Sequence, residues 1–216
     1  MEEACQTGAD WEWWILFTDN YVRFCVQAKK LSTYDNYKKL AYINKYGLQI
    51  NKFLEDSKRA NAISLYAFYS PAINYKMCNN QLSNQNDGVF LAGGQQIHNT
   101  FILGYPLKIT ANDILKLCRP FSCFACCPLI TTNSSGLQHY LKQYFQLEMT
   151  SGSPKSNNFR GLHDELPQYL LSFMDKVQVG VPEWWENEFK FEISDFNALL
   201  VYDFRQQSSD EQDIRF

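Results

Sequence analysis

Eight consecutive residues, Ala62-Ile63-Ser64-Leu65-Tyr66-Ala67-Phe68-Tyr69, constrain the fold more than any other stretch of the chain. They are apolar or aromatic almost throughout, and they stop at Ser70-Pro71, as a buried strand does. A buried strand needs paired neighbours, so the chain must build a sheet. Further strands are expected at Val89-Phe90-Leu91-Ala92 before Gly93-Gly94, at Ile97 to Leu103, and at Ala198 to Phe204. Two alternating runs, Phe145/Leu147/Met149 and Phe189/Phe191/Ile193, have the period of half-exposed strands.

Helical spacing is found elsewhere. Thr110-Ala111-Asn112-Asp113 precedes Ile114, Leu115, Leu117 and Cys118, the pattern of a capped helix that Pro120 then stops. Leu166, Leu170, Met174 and Val177 recur at helical intervals before Gly180. Tyr34 to Leu54 fits helix at either end, with Gly47 as a break. The dense apolar run from Trp11 to Lys30 suits either one wide helical face or a strand followed by a helix. Asn79 to Gly88 and Thr150 to Asn158 are polar and read as loops. The economical account is a single α+β domain over residues 1–204: N-terminal helices, then a mainly antiparallel sheet with one or two helices packed on one face. A polar tail, 205–216, follows.

Composition narrows the function classes. Hydrophobic residues make up 45% of the 216, too many for a disordered chain. The formal charge of −3 offers no basic footprint, so no nucleic acid or anionic membrane is expected as a partner. The acidic start Met1-Glu2-Glu3 does not resemble a secretory signal, and the apolar run Cys123 to Ile130 is far short of the roughly 20 residues of a membrane span. Seven cysteines, an odd number, point to thiols in a reducing compartment.

Few residues assemble into recognisable chemistry. Cys118, Cys123, Cys126 and Cys127 include one two-residue gap suited to zinc, but no second pair follows, and His139 and His163 stand alone. Apolar neighbours favour buried thiols, so no metal is expected. Glu186 and Glu188 form a Glu-x-Glu pair of the kind glycosyl or ADP-ribosyl transfer uses, although a solvated acidic edge is the commoner meaning of such a pattern. Gly93-Gly94 is a turn rather than a phosphate cradle, which leaves no cofactor site to name. His98 lies in a strand-like stretch without a nucleophile motif. Trp11, Trp13, Trp14, Trp184 and Trp185 could form a binding surface, but large aromatics are more often core.

The order of features from Leu65 to Ser151 resembles the plast family, the RolB- and RolC-type proteins that plant-transforming bacteria encode on transferred DNA. The likeness runs through Leu65-Tyr66-Ala67-Phe68-Tyr69-Ser70-Pro71, Cys78, Phe90-Leu91-Ala92, Gly104-Tyr105-Pro106-Leu107-Lys108-Ile109-Thr110 and Tyr144 to Ser151. The resemblance implies action inside a plant cell, in cytoplasm or nucleus, on auxin or cytokinin levels or sensitivity. Host plant proteins or an indole-type small molecule are the partners it implies. Cys78 is the residue that would open the family's phosphatase-like Cys-x5-Arg loop, but Asn84 stands where the arginine belongs. Without that cation phosphatase activity is not carried over. Two alternatives stay open: an enzyme, either a Glu186/Glu188 transferase or a hormone-derivative synthase or hydrolase, and a non-catalytic interaction domain.

Overall fold

In the computed structural model the described residues are 8–31, 40, 42–44, 47–74, 85–103, 109–126, 133–145, 160–177 and 198–205. The first described elements form a hairpin. Strand β1 (Trp11–Leu16) turns through Thr18-Asp19 into β2 (Tyr21–Lys30), with Trp11 opposite Val26 and Leu16 opposite Tyr21. The turn is closed by the Phe17 N–H donating to the Asn20 carbonyl at 3.0 Å. A two-residue pair, β3 (Ile43–Asn44) and β4 (Gly47–Leu48), leads into helix α1 (Gln49–Arg59). Gly47 has φ +102, a left-handed conformation that glycine adopts at no steric cost.

Helix α1 crosses to β5 (Ile63–Asn74), which lies parallel to β2 with Val26 beside Leu65 and Gln27 beside Tyr66. Strand β6 (Gln85–Gly93) returns antiparallel to β5. It is followed by α2 (Gly94–Ile97), a π-helical turn (His98–Leu103), α3 (Ala111–Leu115), β7 (Arg119–Pro120), α4 (Cys123–Cys126) and α5 (Ser134–Phe145). The last described elements are β8 (Leu162–His163), α6 (Gln168–Val177) and β9 (Ala198–Asp203). The main sheet runs β7-β6-β5-β2-β1-β9, with β8 pairing the start of β2.

Alternation along the central strands sends apolar residues to both faces. Trp13, Ile15, Val22, Phe24, Val26, Ile63 and Leu65 meet Phe124 on α4 and Leu137, Tyr140 and Leu141 on α5. On the opposite face Cys25, Tyr66, Phe68, Phe90 and Ala92 meet Ile50 and Phe53 on α1, with Ile97 and Phe101 beyond them. Trp14 and Leu16 continue that face under Leu170 of α6. Each fully buried large side chain contributes about 1.5–3 kcal/mol, and the two-sided core fixes the register, since a one-residue slip would exchange the faces.

The α+β class expected from the sequence is the observed one. Among the described residues the first elements form a hairpin, and helices cover both faces of the sheet. Strand β5 continues past Ser70-Pro71 through a register shift between Ser70 and Ile73, and β6 begins at Gln85, inside the stretch read as a loop. Ile97 to Leu103, expected as a strand, is helical: Ile97 ends α2 and 98–103 form the π-helical turn. Phe145 ends α5 instead of beginning a strand. Among the described residues no helix is long and apolar enough to cross a membrane.

Candidate functional site

The hairpin brings three polar side chains to one end of the sheet. Asp10 immediately precedes β1, and its backbone N–H donates to the Val26 carbonyl at 2.8 Å. Its carboxylate Oδ2 accepts the Ala28 N–H, also at 2.8 Å. Backbone and side chain of Asp10 therefore bracket Gln27 on the neighbouring strand. Lys29, two residues after Gln27 and on the same face by strand alternation, donates from Nζ to Oε1 of Gln49 at 3.1 Å. Gln49 is the first residue of α1. Because α1 joins two parallel strands, its N-terminus lies at the C-terminal ends of β2 and β5, where open α/β sheets bind their ligands.

Gln27 is 1% exposed, and its Oε1 is buried with no hydrogen-bond partner among the described residues. Leaving such an oxygen unpaired costs roughly 1–3 kcal/mol, so this group calls for a partner that the described residues do not supply. Asp10 and Lys29 are only partly buried, and Lys30 is exposed. Burial first, and the nearby Asp10 carboxylate second, push the phenols of Tyr66 and Tyr69 upward.

A carboxylate oxygen and an amide oxygen are hard donors, suited to magnesium, manganese or calcium rather than zinc. Among the described residues no cluster of three or more His, Cys, Asp or Glu could hold a metal.

Glu12, the acid within β1, is differently employed. Glu12 is 1% exposed and accepts from Arg23 Nε at 2.5 Å, while the Tyr169 hydroxyl lies 2.9 Å from each carboxylate oxygen. Trp14 Nε1 donates to that hydroxyl at 3.2 Å, and Arg23 also donates to the Ala60 carbonyl at 2.9 Å. Burial is the largest influence and works to lower the Arg23 pKa, but Glu12, Tyr169 and Cys25 together outweigh it and the net shift is upward. This network ties β1 and β2 to α6 and leaves no carboxylate oxygen open to a ligand.

The residues singled out in the sequence do not converge. Cys78, Glu186 and Glu188 lie outside the described residues, as do Trp184, Trp185 and Cys127. Cys118 and Cys123 are buried thiols outside any disulfide, as is Cys25, whose pKa burial raises to about 11. His98 occupies the π-helical turn, with Nε2 3.0 Å from Asn51 Oδ1 and a buried Nδ1 that has no partner among the described residues. His139 is exposed on α5. His163 contacts the Asn61 carbonyl at 2.8 Å and leans on Trp14, and burial lowers its pKa. Asp10, Gln27 and Lys29 carry no local sequence signal, because Gln27 and Lys29 lie in the run from Trp11 to Lys30 that suits either one wide helical face or a strand followed by a helix, and Asp10 just precedes it.

No curated protein and no solved structure matches the chain. A family of unknown function, DUF6615, matches residues 2–205, and nothing in that match bears on the plast resemblance. Since the match spans nearly the whole sequence, the chain belongs to this family of unknown function, DUF6615.

Proposed function

We propose that the protein is a metal-dependent phosphodiesterase acting on nucleic acid, with Asp10, Gln27 and Lys29 as its reactive centre. The observation that carries this reading is the buried, unpartnered Oε1 of Gln27, bracketed by Asp10 and followed two residues later by Lys29. Asp10 and Gln27 would hold a divalent cation. Such a cation polarises a phosphoryl oxygen and lowers the pKa of a bound water.

The charges favour a diester. Asp10 and Lys29 cancel, so the cation leaves the centre with two positive charges, and hydrolysis of a singly charged phosphodiester passes through a state bearing about two negative ones. Matching the charge that develops, rather than the charge already present, is what accelerates a reaction. In the step itself a water oxygen bonds to phosphorus as the bond from phosphorus to the leaving sugar oxygen breaks. The water loses one proton to solvent, the leaving oxygen gains one, and Lys29 balances charge on a non-bridging oxygen.

The sequence expectation against nucleic acid rests on net charge. A centre that brings its own cation, beside Lys29 and Lys30, does not depend on an overall basic surface. No described residue bears on the hormone-linked role that the plast resemblance implies.

The test is cleavage of labelled single- and double-stranded DNA and RNA by the purified chain in magnesium, in manganese and in EDTA. Cleavage that needs the metal, and that Asp10→Asn and Lys29→Met both abolish, is the expected result. Metal-independent cleavage, or cleavage that both variants retain, would sink the proposal.

A further inference from the structure

We infer that the cation is held only together with the substrate, whose phosphate oxygen completes a coordination shell that the described residues leave short of charge. The inference rests on the phosphodiesterase reading and concerns how that same centre is loaded.

Divalent affinity at oxygen sites follows the number of charged ligands. Among the described residues the centre supplies one carboxylate, Asp10, and one neutral amide oxygen, Gln27. Glu12 is on the same strand but is engaged by Arg23 and Tyr169. Asp10 is further committed through Oδ2 to the Ala28 N–H. Lys29, carrying one positive charge, is fixed by Gln49 at the same end of β2. The formal charge of Asp10, Gln27 and Lys29 together is therefore zero, and a dication arriving alone gains little net attraction.

A phosphodiester changes this balance. It brings a negative charge and a hard oxygen, and its second non-bridging oxygen can lie toward Lys29, so the ammonium changes from a repelling neighbour of the metal into a partner of the substrate. Magnesium is commonly held in this manner, by one or two carboxylates plus substrate phosphate rather than by an all-protein cage. Linkage requires the effect to be mutual: the factor by which substrate tightens metal binding is the factor by which metal tightens substrate binding. The neutral Gln27 is the residue that sets this dependence, since a glutamate there would add the missing charge without substrate.

The experiment follows Mn2+ binding to the whole chain by electron paramagnetic resonance, alone, with a short phosphorothioate oligonucleotide, and with a methylphosphonate oligonucleotide of the same sequence. Binding of Mn2+ to each oligonucleotide by itself is measured and subtracted. The expected result is affinity at least tenfold higher with the charged backbone and unchanged with the uncharged one. Gln27→Glu and Lys29→Met should each raise affinity for Mn2+ in the absence of oligonucleotide, and Gln27→Glu should shrink the oligonucleotide effect. Equal Mn2+ affinity with and without the charged oligonucleotide, in a protein that still cleaves with metal, would overturn the inference and leave the phosphodiesterase reading standing. A protein that neither binds Mn2+ in any of the three conditions nor cleaves would remove both.

Discussion

Asp10 Oδ2 accepts the backbone N–H of Ala28 at 2.8 Å, the residue that separates Gln27 from Lys29. One carboxylate thereby closes the β1–β2 ladder at the residue that lies between the two with which it would act. Asn keeps an oxygen able to accept the Ala28 N–H and loses only the charge. Asp10→Asn should unfold within a few degrees of the parent and lose metal-dependent cleavage by at least 100-fold, the scale of removing a key electrostatic group. Thermal melts beside single-turnover cleavage check both halves, and a variant that is inactive because it is unfolded would not count in favour.

Gln27 offers the opposite test. Its Oε1 is buried without a partner among the described residues, so an apolar side chain of similar length removes a desolvation cost of roughly 1–3 kcal/mol. Gln27→Met should be at least as stable as the parent in urea and inactive in the cleavage assay. A clear loss of stability would show that Gln27 serves packing and not a ligand.

The Glu12–Arg23 pair is structural by the same reasoning, because every strong group in it is engaged. Glu12→Leu leaves Arg23 half-committed in a largely buried place, and breaking such a pair costs about 3–5 kcal/mol. Arg23 keeps the Ala60 carbonyl and is 20% exposed, which places the loss at the lower end. The melting temperature should fall by roughly 6–12 °C. The double variant Glu12→Leu/Arg23→Met should recover much of that loss, a coupling that a double-mutant cycle measures directly.

The cap of α3 predicts a pH dependence. Thr110 Oγ1 and Asp113 Oδ2 lie 2.6 Å apart, the Thr110 N–H donates to the same oxygen at 3.1 Å, and Lys116 reaches Asp113 Oδ1 at 3.1 Å. The Thr110 hydroxyl first, then its backbone N–H and Lys116, hold the Asp113 carboxyl down at about 2, below its ordinary 3.8. A carboxyl lowered on folding stabilises above its unfolded pKa and loses that contribution as pH falls through the folded one. The stability gap between the parent and Asp113→Asn should therefore be constant above pH 4 and close as pH drops from 4 toward 2. Urea midpoints across that range measure it, and a gap that does not narrow would contradict the assignment.

The sequence by itself determined the local features whose cause is local. The Thr110/Asp113 cap is written in adjacent residues, because a hydroxyl and a carboxylate three apart satisfy each other's backbone amides wherever the helix lies. The apolar run of β5, the short strand inside β6, the helix of α6 and the final strand β9 follow from runs of apolar side chains that need covering. Tertiary structure decided what periodicity could not. Trp11 to Lys30 became a hairpin because Trp13, Ile15, Phe24 and Val26 find α4 and α5 on one face while Trp14 and Cys25 face the helices on the other, a burial no single helix could achieve. The stretch 97–103 became helical because its residues pack at Ile97 and Phe101 against the α1 side of the sheet. The candidate centre belongs to the same class: Asp10 and Gln27 are far apart in sequence, neither lies in a local motif, and only the pairing of Trp11 with Val26 sets them side by side.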